Sequence, residues 1–208
     1  MLLGPLRHRF TALERAKEQG IGHYFVPRYT RVVDTAESKD NINKAYNLIS
    51  TSKVRNEMII DDVITCVARK QTPVILTRFK EHAKFLHDAL KEKADHVFLL
   101  YGDNSDKENA EIRVKLKQIP ENESLILVAT GQKIGEGFDF PRLDVLMLAA
   151  PVSFEGRLEQ YVGRLNRDYV GKEAVYVYDY IDSHVRYFDK MYAKRLRTYR
   201  KMGFSIWT

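Results

Sequence analysis

The chain has 208 residues, of which 44% are hydrophobic and 30% charged, a globular composition with enough apolar material for a substantial core. No apolar run reaches the roughly 18 residues that a membrane span needs, and the opening MLLGPLRHRF is too short and too charged for a secretory signal. A single cysteine excludes an internal disulfide and fits a reducing, cytoplasmic compartment.

The segment GHYFVPRYTRVV (22–33) predicts an extended stretch, and Pro27, which cannot donate to a ladder, argues against a central strand there. DTAESKDN (34–41) is polar and turn-rich and reads as a linker. NKAYNLI (43–49) and VRNEMIIDDVITCVAR (54–69) carry helical periodicity, with Cys66 expected as a small core residue rather than a nucleophile. From residue 73 short β-branched runs alternate with helical patterns. PVILT (73–77), HVFLLYG (96–102), SLILVAT (124–130), DVLMLAAP (144–151) and EAVYVYDYI (173–181) predict strands. The intervening 79–93, 106–119 and 154–166, and the final 184–201, predict helices. The unbroken apolar character of SLILVAT fits a strand covered on both faces. The fold class is therefore α/β, a three-layer sandwich with a mainly parallel sheet flanked by helices. The compact domain is expected over 42–208. Residues 1–41 are expected to be the tail of a preceding domain plus a linker, because 1–33 lack apolar surface for a core of their own.

In such a sheet ligands collect at the carboxyl ends of the strands. The loop TGQKIGEGFDFP (130–141) follows the third of these strands and carries Gly131, Gly135 and Gly137. Glycines there let backbone N–H groups approach a phosphate closely, and they equally suit a turn that needs glycine for steric reasons. The spacing is not that of a dinucleotide loop, and neither G-x4-G-K-[ST] nor an acidic magnesium cluster after an apolar strand occurs in the chain. Asp61 and Asp62 sit in a helical pattern instead. In RLEQYVGRLNR (157–167), Gln160, Arg164 and Arg167 are spaced to share one helical face opposite Leu158, Val162 and Leu165. Gly163 costs about 1 kcal/mol in a helix relative to Ala, which suggests close approach of a backbone or ligand. Two guanidiniums one turn apart suit phosphate oxygens; a surface helix pairing them with Glu159 or Asp168 would also explain them. His82 and His87 are expected to be solvated, and Trp207 to be a docking anchor or frayed. The stretch 184–201 holds seven Lys or Arg against Asp189 alone, so it carries the whole net charge of +6. It is either a polyanion-attracting segment or a solvated helix with its aromatics docked on the core.

Three of these stretches together resemble one family. VATGQKIGEGFDFPRLDVLMLAAP is similar to motif V of superfamily 2 helicases of the DEAD/DEAH type. EQYVGRLNR resembles motif VI (Q-x-x-G-R-x-x-R), and PVILTRFKEHAKFL resembles motif IV. The match covers about 72–182 in the family's order and is nearest the branch of XPB-type repair helicases and restriction-enzyme translocation subunits. GPLRHRF and HYFVPRYTRVV resemble the stretch that this branch carries after motif III, the end of its first RecA-like domain and the interdomain linker. The resemblance implies the second RecA-like domain of a helicase, of the P-loop NTPase type. ATP with Mg2+ would lie between it and a first RecA-like domain, supplied in cis or in trans. Arg164 and Arg167 would reach the γ-phosphate, Arg167 as the finger, with Gln160 at the same cleft. Gly135, Gly137 and Asp139 would lie by the nucleotide. Thr77, Arg78, Thr130 and Gly131 would hold a nucleic-acid strand, DNA being favoured over RNA. Gln160-Tyr161 replaces the Gln-Arg of the XPB pattern, which removes one possible phosphate contact and favours the restriction-subunit branch. The phosphate loop and magnesium motif belong to the first domain, so this chain is expected not to hydrolyse ATP alone, as an excised fragment or a split gene product. The alternative is a stand-alone nucleic-acid-binding module without an ATPase role. A dinucleotide-dependent oxidoreductase lacks its required motif.

Overall fold

The computed structural model describes residues 20–102, 104–131, 134, 139–152 and 155–207. In chain order the elements are β1 (Gly22–Tyr29), α1 (Ala36–Asp40), α2 (Ile42–Thr51), α3 (Lys53–Ala68), β2 (Pro73–Thr77), α4 (Lys80–Leu90), β3 (His96–Leu100), α5 (Asp106–Gln118), β4 (Leu125–Thr130), β5 (Val145–Leu148), α6 (Glu155–Leu165), β6 (Ala174–Ile181), α7 (Arg186–Lys201) and β7 (Ser205–Ile206). The strands form one seven-stranded sheet in the order β3-β4-β2-β5-β6-β1-β7, and every ladder in it is parallel.

Period-two alternation sends neighbouring strand residues to opposite faces. Val74, Leu76, Leu125, Leu127, Leu146 and Leu148 pack with Leu116 of α5, Leu158 and Leu165 of α6 and Tyr199 of α7. Ile75, Ile126, Val128, Val145 and Met147 pack on the other face with Ile59, Val63 and Cys66 of α3 and Leu86 and Leu90 of α4. Both faces are thus covered, which is why β2, β4 and β5 read as continuous apolar runs. Cys66 is fully buried, as expected of a core residue, and burial pushes its thiol up to about 11. A third cluster lies by the carboxyl ends of the strands, where Ala45, Tyr46 and Ile49 of α2 meet Phe188 and Met191 of α7.

The sheet also takes in residues 22–29, which the sequence assigns to a tail and linker ahead of residue 42. β1 pairs with β6 along its whole length, from Gly22↔Ala174 to Tyr29↔Ile181. Pro27 is tolerated because the outer neighbour, β7, pairs only at Tyr24 and Phe25, so no ladder bond is asked of position 27 on that side. Trp207 is docked: its N–H donates to the Phe25 carbonyl at 2.9 Å and its ring meets Tyr24 and Tyr176 edge-on. The polar stretch expected as a linker folds into α1. Thr35 and Ser38 cap that helix reciprocally, and Asp34 accepts from the Ser38 hydroxyl at 2.6 Å and from the Arg186 N–H at 2.8 Å.

Two buried ion pairs fix the carboxyl end of β6. Arg195 of α7 grips Asp179 through Nε and Nη2, both at 2.8 Å, and Tyr199 donates to the same carboxylate at 3.0 Å. Arg55 of α3 grips Asp182 at 2.9 and 3.1 Å and donates to the Ala149 carbonyl, while Thr30 donates to Asp182 at 2.6 Å. All four charged side chains are nearly inaccessible. Burial opposes the Arg195 charge, but the Asp179 carboxylate outweighs it and holds the guanidinium above its ordinary pKa. Removing one partner strands the other without solvent. We therefore expect Arg55→Met to lower unfolding free energy by about 3–5 kcal/mol in urea titrations, with the Arg55→Met/Asp182→Leu pair recovering most of the loss.

Candidate functional site

The carboxyl edge of the sheet collects Thr77, Arg78, Thr130 and Gly131. Thr77 ends β2 and is buried, and its hydroxyl lies 2.6 Å from His82 Nδ1. His82 Nε2 in turn lies 2.9 Å from Asn56 Oδ1, and Asn56 Nδ2 donates to the Ser50 carbonyl. Since Asn56 Oδ1 can only accept, His82 carries its proton on Nε2 and accepts the Thr77 hydroxyl proton on Nδ1. His82 is therefore not solvated, as the charged neighbours in its sequence suggest. It faces inward because it shares the buried side of α4 with Ala83, Leu86 and Leu90. Burial and the nearby Arg55 charge lower its pKa to about 3, so the ring is neutral. The relay fixes the turn after β2, from which Arg78 emerges to solvent. Its guanidinium lies 4.5 Å above the Tyr46 ring, while the Tyr46 hydroxyl donates to the Pro151 carbonyl at 2.8 Å. Stacking in this way leaves the edge N–H groups of an arginine available to an anion. A groove of about 830 Å3 opens beside it, lined by Asn47, Ser50, Asn56, Arg78, Phe79 and Phe85.

Gly131 follows β4, with Thr130 buried just before it. A Cβ at Gly131 would lie 2.5 Å from the Tyr161 hydroxyl, and that hydroxyl donates to the Gly131 carbonyl at 3.2 Å. Tyr161, where the resembled pattern has arginine, belongs to the buried side of α6 with Leu158, Val162 and Leu165. Its place is packing against Gly131. Arg157, one turn earlier on α6, is exposed, and its charge acts on both Tyr46 and Tyr161.

α6 leaves the carboxyl edge and runs back along the sheet, as it must between two parallel strands. Arg164 and Arg167 therefore do not sit at the carboxyl ends of the strands. Gln160 is exposed and Arg164 half-buried in the last turn of α6. Arg167 is not on the helix, which ends at Leu165, so the three side chains do not share one helical face. Asn166 closes the last turn through its N–H to the Val162 carbonyl and meets His23 of β1 at 2.8 Å through its side chain. Arg167 follows and pairs with Asp139, Nε to Oδ1, at 3.3 Å, with about half of each side chain exposed. An ion pair this open contributes little, about 0–1 kcal/mol, and opens readily. Gly135 and Gly137 lie outside the described residues. Gly163 has open space where a Cβ would stand, so packing among the described residues does not require glycine there.

Lys172 carried no signal in the sequence. Its ammonium donates to the carbonyls of Leu165 and Arg167 at the end of α6, and to those of Pro141 and Leu143 at the end of the glycine loop. One side chain thus ties together the two segments that bear Arg167 and Asp139. Burial lowers its pKa to about 8, against the pull of Asp144 and Asp168. Among the described residues no three His, Cys, Asp or Glu side chains are grouped to hold a metal ion.

No protein-family profile matches the chain. It is 28% identical over 172 residues to the transcript termination protein A18 of Yaba-like disease virus, covering 77% of this chain and 35% of that protein. It is 33% identical over 118 residues to the putative helicase 161L of Invertebrate iridescent virus 6, covering 56% and 22% respectively. The chain spans about a third or less of the length of these relatives. Among solved structures, T4 UvsW superimposes with a TM-score of 0.69 at 19% identity over 90% of this chain and 41% of that one. The C-terminal domain of the DEAD-box protein Dbp5 gives 0.51 at 13% identity over 90% and 88%. The fold is RecA-like α/β, the class these helicase domains share.

Two measurements test the local geometry. With a folded pKa near 3 against an ordinary 6.5, His82 binds fewer protons folded than unfolded in that interval, so its contribution to stability is lost as pH falls from 6.5 toward 3. The drop in urea midpoint between pH 7 and pH 4 should be smaller in His82→Gln than in the parent. Gly163→Ala should raise the stability of the chain by about 0.5–1 kcal/mol, read as a higher thermal midpoint.

Proposed function

We propose that the chain is the second motor domain of an ATP-driven superfamily 2 helicase or translocase, acting on DNA, of the branch that holds repair helicases and restriction-enzyme translocation subunits. The carboxyl edge, with Arg78 stacked on Tyr46 and the Gly131 loop held by Tyr161, grips one strand's phosphates. The far end of α6 presents Arg164 and Arg167 to a nucleotide held by a first RecA-like domain. Such contacts to phosphate are independent of base sequence and weaken with salt.

The observation that carries this reading is the Arg167–Asp139 pair. Among the described residues the Arg167 guanidinium is held by one half-exposed carboxylate, so it is oriented before its anion arrives and is readily exchanged onto it. The side chains here fit part of what ATP needs. Arg164, Arg167 and Gln160 offer cations and an amide to the terminal phosphate, but the chain has no G-x4-G-K-[ST] cradle for the β- and γ-phosphates. Bound between the two domains, ATP would supply the free energy of phosphoryl transfer. This chain's part is to neutralise charge at the terminal phosphate, through Arg167 above all, and to move the gripping edge as the domains close. Lys172 holds the Arg167 and Asp139 segments in register. Gly163, on the open side of α6, leaves room for a backbone of the first domain.

Phosphate release with single-stranded DNA present decides the matter. The chain alone should show no turnover. Mixed with a first RecA-like domain bearing the phosphate loop, it should hydrolyse ATP, and Arg167→Ala should reduce that rate by about 10³-fold or more. Turnover by the chain alone that survives Arg167→Ala would overturn the reading.

A further inference from the structure

The charge on α7 is sorted by direction. At 100° per residue, Arg186, Lys190, Lys194, Arg197, Arg200 and Lys201 fall within about 120° of one another, and all six are exposed. Phe188, Met191, Arg195, Thr198 and Tyr199 occupy the opposite arc and are buried. Arg195, the seventh cation of the segment, is consumed by Asp179. Of the outward six, Lys201 reaches Glu159 at 3.2 Å. The side chains of Arg186, Lys190, Lys194, Arg197 and Arg200 form no ion pair with any described residue. The only carboxylate on the helix is Asp189. A stripe of unneutralised cations thus runs the length of a 16-residue helix, about 24 Å.

Helix formation alone does not demand this. Glu or Gln at the same positions would have comparable propensity and would relieve the repulsion between like charges four residues apart. No aromatic lies on the exposed arc, so nothing there stacks an unpaired base. The arc is also without large apolar side chains, and the helix's apolar side is already docked on the sheet, so it cannot lie in a bilayer interface. What remains complementary is a continuous ridge of phosphates. The stripe begins beside the proposed strand-gripping edge, since Phe188, two residues after Arg186, packs on Tyr46 at 4.8 Å between ring centres.

We infer that the exposed arc of α7 is a second nucleic-acid site, one that binds the phosphate backbone of a DNA duplex without reading its sequence. Its position next to the gripping edge as a duplex guide, and the choice of DNA, rest on the function proposed above; a phosphate-backbone site on α7 does not. It would hold the paired region flanking the strand on which the edge acts.

The test is fluorescence anisotropy of a short labelled duplex, and of one of its single strands, over a range of salt. The triple variant Lys190→Glu/Lys194→Glu/Arg197→Glu should lose duplex affinity by roughly tenfold or more at moderate salt. Its slope of log K against log salt should be shallower by about 2.7, near 0.9 for each cation removed. Single-strand binding should change far less. The thermal midpoint monitors folding, and the milder Lys190→Gln/Lys194→Gln/Arg197→Gln variant serves if the reversed charges unfold the helix. Unchanged duplex affinity and slope in the folded variants would overturn the inference. So would tighter binding to phosphatidylserine vesicles than to the duplex, or equal loss on the single strand. Because Arg167→Ala reports on ATP turnover and the α7 variants on duplex binding, failure of either idea leaves the other standing.

Discussion

The end of β6 is where the fold is held together. Asp179 and Asp182 are three residues apart in sequence, and each carries a buried guanidinium, one from α7 on one face of the sheet and one from α3 on the other. A carboxylate without solvent must be paired, so these two positions dictate where both helices lie. The consequences spread outward. Arg195 also donates to the Val152 carbonyl and Arg55 to the Ala149 carbonyl, so the backbone just after β5 is held by the same two side chains.

From that frame two regions separate. The carboxyl edge is stiffened by the Thr77–His82–Asn56 relay and by Tyr161 against Gly131, and it presents Arg78 and Arg157. The other region lies where α6 ends, and there Lys172 and Asn166 set the backbone from which Arg167 projects. α6 spans the interval between them. A displacement of that helix is felt at both ends, because Tyr161 touches the first and Arg164 belongs to the second. Leu158, Val162 and Leu165 hold α6 on the sheet by ordinary packing.

The core elements from β2 to α7 were legible because their signal is local. Period two and period 3.6 depend only on neighbours in sequence, and so do the glycine run and the spacing Gln160-Arg164-Arg167 that carry the family resemblance. Other features needed partners that sequence order hides. β1 reads as a tail because its ladder partner, β6, lies some 150 residues downstream. His82 reads as solvated because its flanks are charged, but the angle of α4 turns it toward Thr77. Arg195 is indistinguishable from its six basic neighbours until Asp179 lies beside it. Lys172 has no motif, since what it recognises is a set of backbone carbonyls from two separate segments.

The sequence by itself determined the class of fold and the order of strands and helices from β2 to α7, because local patterns of polarity and turn chemistry suffice for these. Tertiary structure alone decided which cations are buried and which face solvent, that Arg167 stands beyond α6 opposite Asp139, and that Arg78 and Gly131 lie at the carboxyl edge, away from Arg164 and Arg167. The physical reason is that burial and pairing are properties of a place in space, and residues distant in the chain create that place.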